Sequence, residues 1–138
     1  YGEFPWYIGG KIDGISSDRK LLIEIKNRVN RLFKKPPSYE VVQVQTYLHL
    51  LGIDRGVLVE CMRTNTDGGD TRQEVNTMSV VRDERRWNAE IFPKLEGFVD
   101  FIVCLIHDHA LQDKFLKSKR RSAMISAHVF SKQKICTG

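Results

Sequence analysis

The sequence predicts an α/β domain built around one mixed β-sheet. Two segments alternate apolar and polar residues on either side of a short polar turn, as the arms of a hairpin do. The stretch that follows carries apolar residues at spacings of three and four, the pattern of a helix packed along one side. The order strand, strand, helix then repeats. A helix between two strands implies a right-handed crossover joining parallel neighbours.

Residues 6–15 read as the first strand and 21–29 as the second, with Ser16-Ser17-Asp18-Arg19-Lys20 supplying the turn. In the second strand Leu21, Ile23 and Ile25 fall on one face and Leu22, Glu24, Lys26 and Arg28 on the other. Pro36-Pro37 blocks helical continuation, and Ser38 is placed to cap a helix with Glu40 in its first turn. That helix is expected over 39–51, ending at Gly52, with Val41, Val44, Leu48 and Leu51 as its apolar stripe. Residues 56–62 form a short apolar run between turn signals, hence a buried strand. Residues 64–70 read as a loop, and 74–81 as a strand paired with the preceding one. A long helix is expected over 84–107, kinked or restarted at Pro93. Its apolar side would carry Trp87, Ile91, Leu95, Phe98, Ile102 and Leu105, with Phe101 also in the core. Past His109 the helical pattern fades, and 131–138 reads as a loose end.

Composition narrows the class. Gly 10, Pro 4 and Cys 3 in 138 residues exclude collagen-like and disulfide-scaffold chains. The longest apolar stretch, 98–106, is half of what a membrane span needs and contains Asp100, so no membrane partner is expected. Cys61, Cys104 and Cys136 are scattered, with no Cys-x-x-Cys pair. Neither a disulfide framework nor a zinc site is expected from them, and a reducing intracellular compartment is. From Asp113 onward seven basic groups face that one acid, a net +6, while residues 1–112 carry 15 basic and 16 acidic groups. The cluster 114–121 reads either as a phosphate-gripping or nuclear-import segment or as a solvated charge run. The chain opens on Tyr1 rather than Met and reads as a trimmed piece.

The chemistry sits on the hairpin. Glu24 and Lys26 are two apart on a strand and share a face. A turn centred between Asp18 and Arg19 sets Asp13 directly opposite Glu24, with Cβ atoms roughly 4.5–5.5 Å apart. Two carboxylates at that range repel unless a cation lies between them. Lys26 supplies one positive charge and leaves a net negative charge for a divalent ion. Oxygen ligands without His or Cys favour Mg²⁺, with Mn²⁺ as substitute. Such an ion polarises a phosphodiester and activates water, and Lys26 would orient that water or stabilise developing charge. Asp, Glu and Lys on a hairpin face are also what any solvated strand displays. Gly9, Gly10 and Gly14 leave room for close approach, and spacing four puts Gln43 and Tyr47 on one face of the next helix. His107 and His109 suit a helix end better than a metal, and His49 reads as a surface residue. Arg28, with Arg31, Lys34 and Lys35 after it, is a candidate phosphate contact.

Gly10-Lys11-Ile12-Asp13-Gly14, Leu22-Ile23-Glu24-Ile25-Lys26 and Gln43-x-x-x-Tyr47 together resemble the PD-(D/E)xK nuclease superfamily. The likeness is greatest to its Gln-x-x-x-Tyr branch of RecB-type and phage lambda exonuclease-like enzymes, and it spans about residues 7–62. It implies a restriction-endonuclease-like core over 1–112, flanked by helices, and a basic tail over 113–138. It also implies that Asp13, Glu24 and the Ile25 carbonyl bind Mg²⁺, that Lys26 is the catalytic lysine, and that Gln43 and Tyr47 position DNA. Ile12 stands where the signature has Pro. The acidic helix that usually precedes the hairpin is not encoded ahead of it here.

The resemblance implies a metal-dependent deoxyribonuclease, an exonuclease by branch, serving replication, recombination or repair. The alternative is a catalytically inactive nuclease-derived module that binds nucleic acid or a protein partner.

Overall fold

A computed structural model describes residues 5–135. The chain divides into two units, one spanning 9–84 and the other joining 1–8 to 85–138. The first holds four strands and one helix: β1 (Gly14–Ile15), β2 (Leu21–Arg28), α1 (Ser38–Leu51), β3 (Arg55–Asn65) and β4 (Thr71–Val81). They form one mixed sheet in the order β1-β2-β3-β4. β2 runs parallel to β3, and the two outer pairings are antiparallel.

The hairpin register is the predicted one: Gly14 lies opposite Ile23, and Ile15 opposite Leu22. Ser16 fixes the turn, its hydroxyl accepting from Leu21 N at 2.9 Å and donating to Asp18. Arg19 takes the left-handed conformation, φ 58°. The first strand is much shorter than the expected 6–15. Trp6 belongs to the other unit, where its ring lies 6.1 Å from that of Phe92. Nearer the turn, the ladder ends because Ile25 N–H donates to the Asp13 side chain.

α1 begins one residue earlier than expected, and Ser38 is not its cap. The carbonyl of Pro37 accepts from Glu40 N and Val41 N, and no side chain caps the end. Gly52 closes the helix at φ 64°, as its position after the apolar stripe requires. Val44 and Leu48 are fully buried and pack with Leu22, Ile53, Leu58, Met78 and Val80, while Leu51 is exposed. Gly56 permits this close approach, since a Cβ there would lie 2.9 Å from Val44 Cγ1. Strands β3 and β4 run longer than expected, joined by a tight turn in which Thr66 N and Oγ1 donate to the Asp70 carbonyl.

The second unit is helical: α2 (Glu84–Arg86), whose first residue still belongs to the sheet unit, leads into a π-helical segment (Trp87–Ile91), α3 (Phe92–His107), α4 (His109–Lys117) and α5 (Arg121–Ile135). The irregularity expected at Pro93 takes the form of the π turn just before it, with Phe92 N donating to the Trp87 carbonyl. Gly97, Phe101 and Val103 are the buried residues of α3, and Phe98 is exposed. The fading pattern past His109 gives way to two further helices. Asp108 caps α4 by accepting from Leu111 N at 2.9 Å. α5 packs on α3, where Val129 atoms would lie 3.2–3.4 Å from a Cβ on Gly97. Cys136 and the rest of 136–138 lie outside the described residues.

Candidate metal centre

The face of β2 turned toward α1 is the charged one. Leu22 is fully buried and Glu24 is 3% exposed, whereas Ile25 on the opposite face is 45% exposed. A carboxylate enters such a place only with partners, because desolvating its charge is costly. Glu24 finds two on one oxygen: Oε1 accepts from Lys26 Nζ and from Gln43 Nε2, both at 2.9 Å. Gln43 closes a ring by accepting from Lys26 Nζ on its own Oε1 at 2.8 Å. Its amide also reaches the Tyr47 hydroxyl at 3.3 Å, and that hydroxyl donates to the Lys11 carbonyl at 3.3 Å.

These contacts bring together Glu24, Lys26, Gln43 and Tyr47, four of the residues singled out by sequence. Glu24 and Lys26 meet because they alternate in phase along β2, and Gln43 and Tyr47 because one helical turn separates them. Gly10 is the residue that lets the chain pass this group. A Cβ there would lie 2.6 Å from the Tyr47 hydroxyl oxygen. Gly14 meets only ordinary contacts and Gly9 meets nothing within 4 Å. Asp13 is exposed and holds its place through the 2.8 Å bond from Ile25 N to Oδ2.

The other Glu24 oxygen, Oε2, is buried and has no hydrogen-bond partner among the described residues. The residues that the sequence assigns to a metal, Asp13, Glu24 and the Ile25 carbonyl, offer oxygen only, the donor type of a hard divalent cation.

Arg28, expected as a phosphate contact, is held by two carboxylates. Its guanidinium donates to both oxygens of Glu40, at 2.7 and 2.6 Å, and to Glu60 at 2.8 Å. It also lies 4.4 Å over the Phe33 ring. A fork so engaged has little left for substrate, and the pairing raises its pKa above the usual arginine value. Burial pushes Glu60 up, but hydrogen bonds from Asn76, from Phe33 N and from Arg28 outweigh it. They hold that carboxyl below its ordinary range. Arg31, Lys34 and Lys35, in the loop after β2, are exposed.

Sequence reasoning missed this second cluster. The signal was Glu60 itself, a charge in the middle of an otherwise apolar strand, which requires a buried partner. It also placed His49 at the surface. Its Nδ1 instead bonds the Gln45 carbonyl at 2.7 Å, and its ring faces Glu84 at 3.6 Å. Gln45, not singled out, bonds the Val81 carbonyl and Asp83 N and so ties α1 to the end of β4.

No helix of the described residues is long and apolar enough to cross a membrane. Set against protein-family models, curated proteins and solved structures, the chain gives no match in any of the three.

Proposed function

We propose that this centre binds Mg²⁺ and hydrolyses phosphodiesters in DNA, in the manner of the PD-(D/E)xK nucleases that the three motifs resemble. The single observation that carries the reading is the buried Glu24 carboxylate, with one oxygen doubly bonded and the other unpaired. A buried carboxylate oxygen without a protein partner is where an ion or an ordered water binds, and the cation is the reading the three motifs favour.

Glu24, Asp13 and the Ile25 carbonyl would hold the ion, which when bound supplies Lewis-acid polarisation of the phosphate and a more acidic water. The chain's own residues do the positioning. Glu24 and Gln43 take two of the three Lys26 ammonium donors and fix its direction, leaving a third for an attacking water or a phosphate oxygen. Gln43 is locked from both ends, by Lys26 on its oxygen and by Glu24 and Tyr47 on its nitrogen. Tyr47 extends that order to the Lys11 backbone. Exposed Arg31, Lys34 and Lys35 lie in the chain just past the site strand and would meet the DNA backbone electrostatically.

The test is cleavage of end-labelled and circular duplex DNA with Mg²⁺ or Mn²⁺. Activity abolished by EDTA, by Glu24→Gln and by Lys26→Ala is expected, and the circular substrate separates internal cutting from end-dependent cutting. A folded protein that cuts nothing with either ion overturns the reading. Salt-sensitive DNA binding that survives Lys26→Ala without cleavage would assign the chain to non-cutting nucleic-acid binders.

A further inference from the structure

We infer that the helical unit contains a second metal site of different chemistry, a transition-metal site of the Zn²⁺ type formed by Asp100, Cys104 and His128. Asp100 and Cys104 are one turn apart on α3, and His128 projects from α5. One ligand atom from each falls within 4.8 Å of the others. All three residues are partly buried.

A tetrahedral ion with bonds of about 2.0–2.3 Å holds its ligands roughly 3.3–3.7 Å apart, inside that envelope. His128 Nε2 and Asp100 Oδ2 are now 2.6 Å apart, in hydrogen-bond contact. An ion would replace that bond and require an opening of somewhat under about 1 Å, within reach of side-chain rotation. The thiol proton leaves to solvent on binding, and the imidazole coordinates in its neutral form.

The surroundings hold the ligands in place. Gly97 lets α3 and α5 approach closely at Val129, the residue next to His128. The imidazole is braced edge-on by Phe101, ring centroids 5.5 Å apart, and Phe101 is 2% exposed. Thiolate, imidazole and carboxylate together select Zn²⁺ or Co²⁺ over Mg²⁺ or Ca²⁺, which prefer oxygen-only shells. Three protein ligands leave one position for water. Sequence reasoning expected no zinc site because it sought paired cysteines. The pattern here is a carboxylate and a thiol at spacing four, completed by a distant histidine.

The site shares no residue with the nuclease centre and stands or falls separately from it. The full chain, kept reduced, is titrated with Co²⁺ and then Zn²⁺ while absorption and thermal unfolding are followed. A stoichiometric thiolate-to-cobalt charge-transfer band is expected, lost on adding Zn²⁺, with a Tm rise on the order of 5 °C at saturating Zn²⁺. Cys104→Ser should abolish the band, whereas Cys61→Ser and Cys136→Ser keep it. His128→Gln should keep the band but weaken Co²⁺ binding at least about tenfold. No band in the wild-type protein at millimolar Co²⁺ overturns the inference and leaves Asp100–His128 a plain hydrogen bond. A band that survives Cys104→Ser, or Co²⁺ affinity unmoved by His128→Gln, overturns it as well.

Discussion

Asp13 Oδ2 accepts the N–H of Ile25 at 2.8 Å, two residues beyond the Ile23 that pairs with Gly14 in the hairpin. The carboxylate takes the place of a strand carbonyl, ends the β1–β2 ladder and is itself positioned by doing so. Loss of the acceptor is therefore expected to cost stability even without metal. Asp13→Ala should lower stability by about 1 kcal/mol, whereas Asp13→Asn, which keeps an oxygen, should change it by much less. Denaturant unfolding in EDTA measures both, and equal effects would refute the assignment.

Lys26 holds Glu24 and Gln43 together, so its removal should act on function and on stability separately. Lys26→Ala is expected to reduce cleavage at least about 10²-fold. It should also destabilise the fold by roughly 1–3 kcal/mol, because Glu24 is left buried with only Gln43 as partner. Cleavage rates under conditions where the variant is shown to be folded separate the two effects.

The unpaired Glu24 Oε2 predicts metal-linked stability. Mg²⁺ or Mn²⁺ at about 100 times its Kd should add about 2.7 kcal/mol to the wild-type protein. In Glu24→Gln that increment should vanish. Thermal scans with and without the ion decide it, and an undiminished Glu24→Gln response would place the ion elsewhere.

Gly10 faces the end of the Tyr47 side chain so closely that a Cβ there would require the ring to move. Gly10→Ala should push the Tyr47 ring away, cost about 1–3 kcal/mol and loosen Gln43. Tyr47→Phe, which keeps the ring and loses only the hydroxyl bonds, should cost less. Reversal of that order in paired unfolding curves would contradict the described approach.

Glu60 carries an acid-stability prediction. Its folded-state pKa is depressed, so its contribution is fully present above the unfolded carboxyl value of about 4.3. It is lost as pH falls from there through the folded value, since the unfolded state then binds the proton more readily. Glu60→Gln should flatten part of the Tm decline below about pH 4. At neutral pH it should lower stability by about 3–5 kcal/mol, with Arg28 left partly unpaired.

Strand order, the parallel β2–β3 pairing and the hairpin register were legible because each rests on local chemistry. The Ser16–Lys20 turn fixes register, and Gly52 stops the helix that crosses over. Alternation in β2 separated its two faces but could not say which one is covered. Apolarity alone favours Leu21, Ile23 and Ile25. The helix instead covers Leu22, Glu24, Lys26 and Arg28, because Gln43 and Glu40 arrive to satisfy the charges. The partners of Arg28 were not legible for the same reason: they lie 12 and 32 residues away in sequence. The helices after His109 were missed because their apolar residues are sparse, and their burial depends on packing against α3 at positions such as Gly97.

The parallel pairing of β2 with β3 also has a kinetic side. Glu24 can form early on a local hairpin, but Gln43 reaches it only when the α1 crossover closes, and parallel pairings of that kind are slow to assemble. Dehydration of the carboxylate thus belongs to the docking of the helix. The ring of three side chains is therefore a latch that shuts only once β2 and β3 are held side by side.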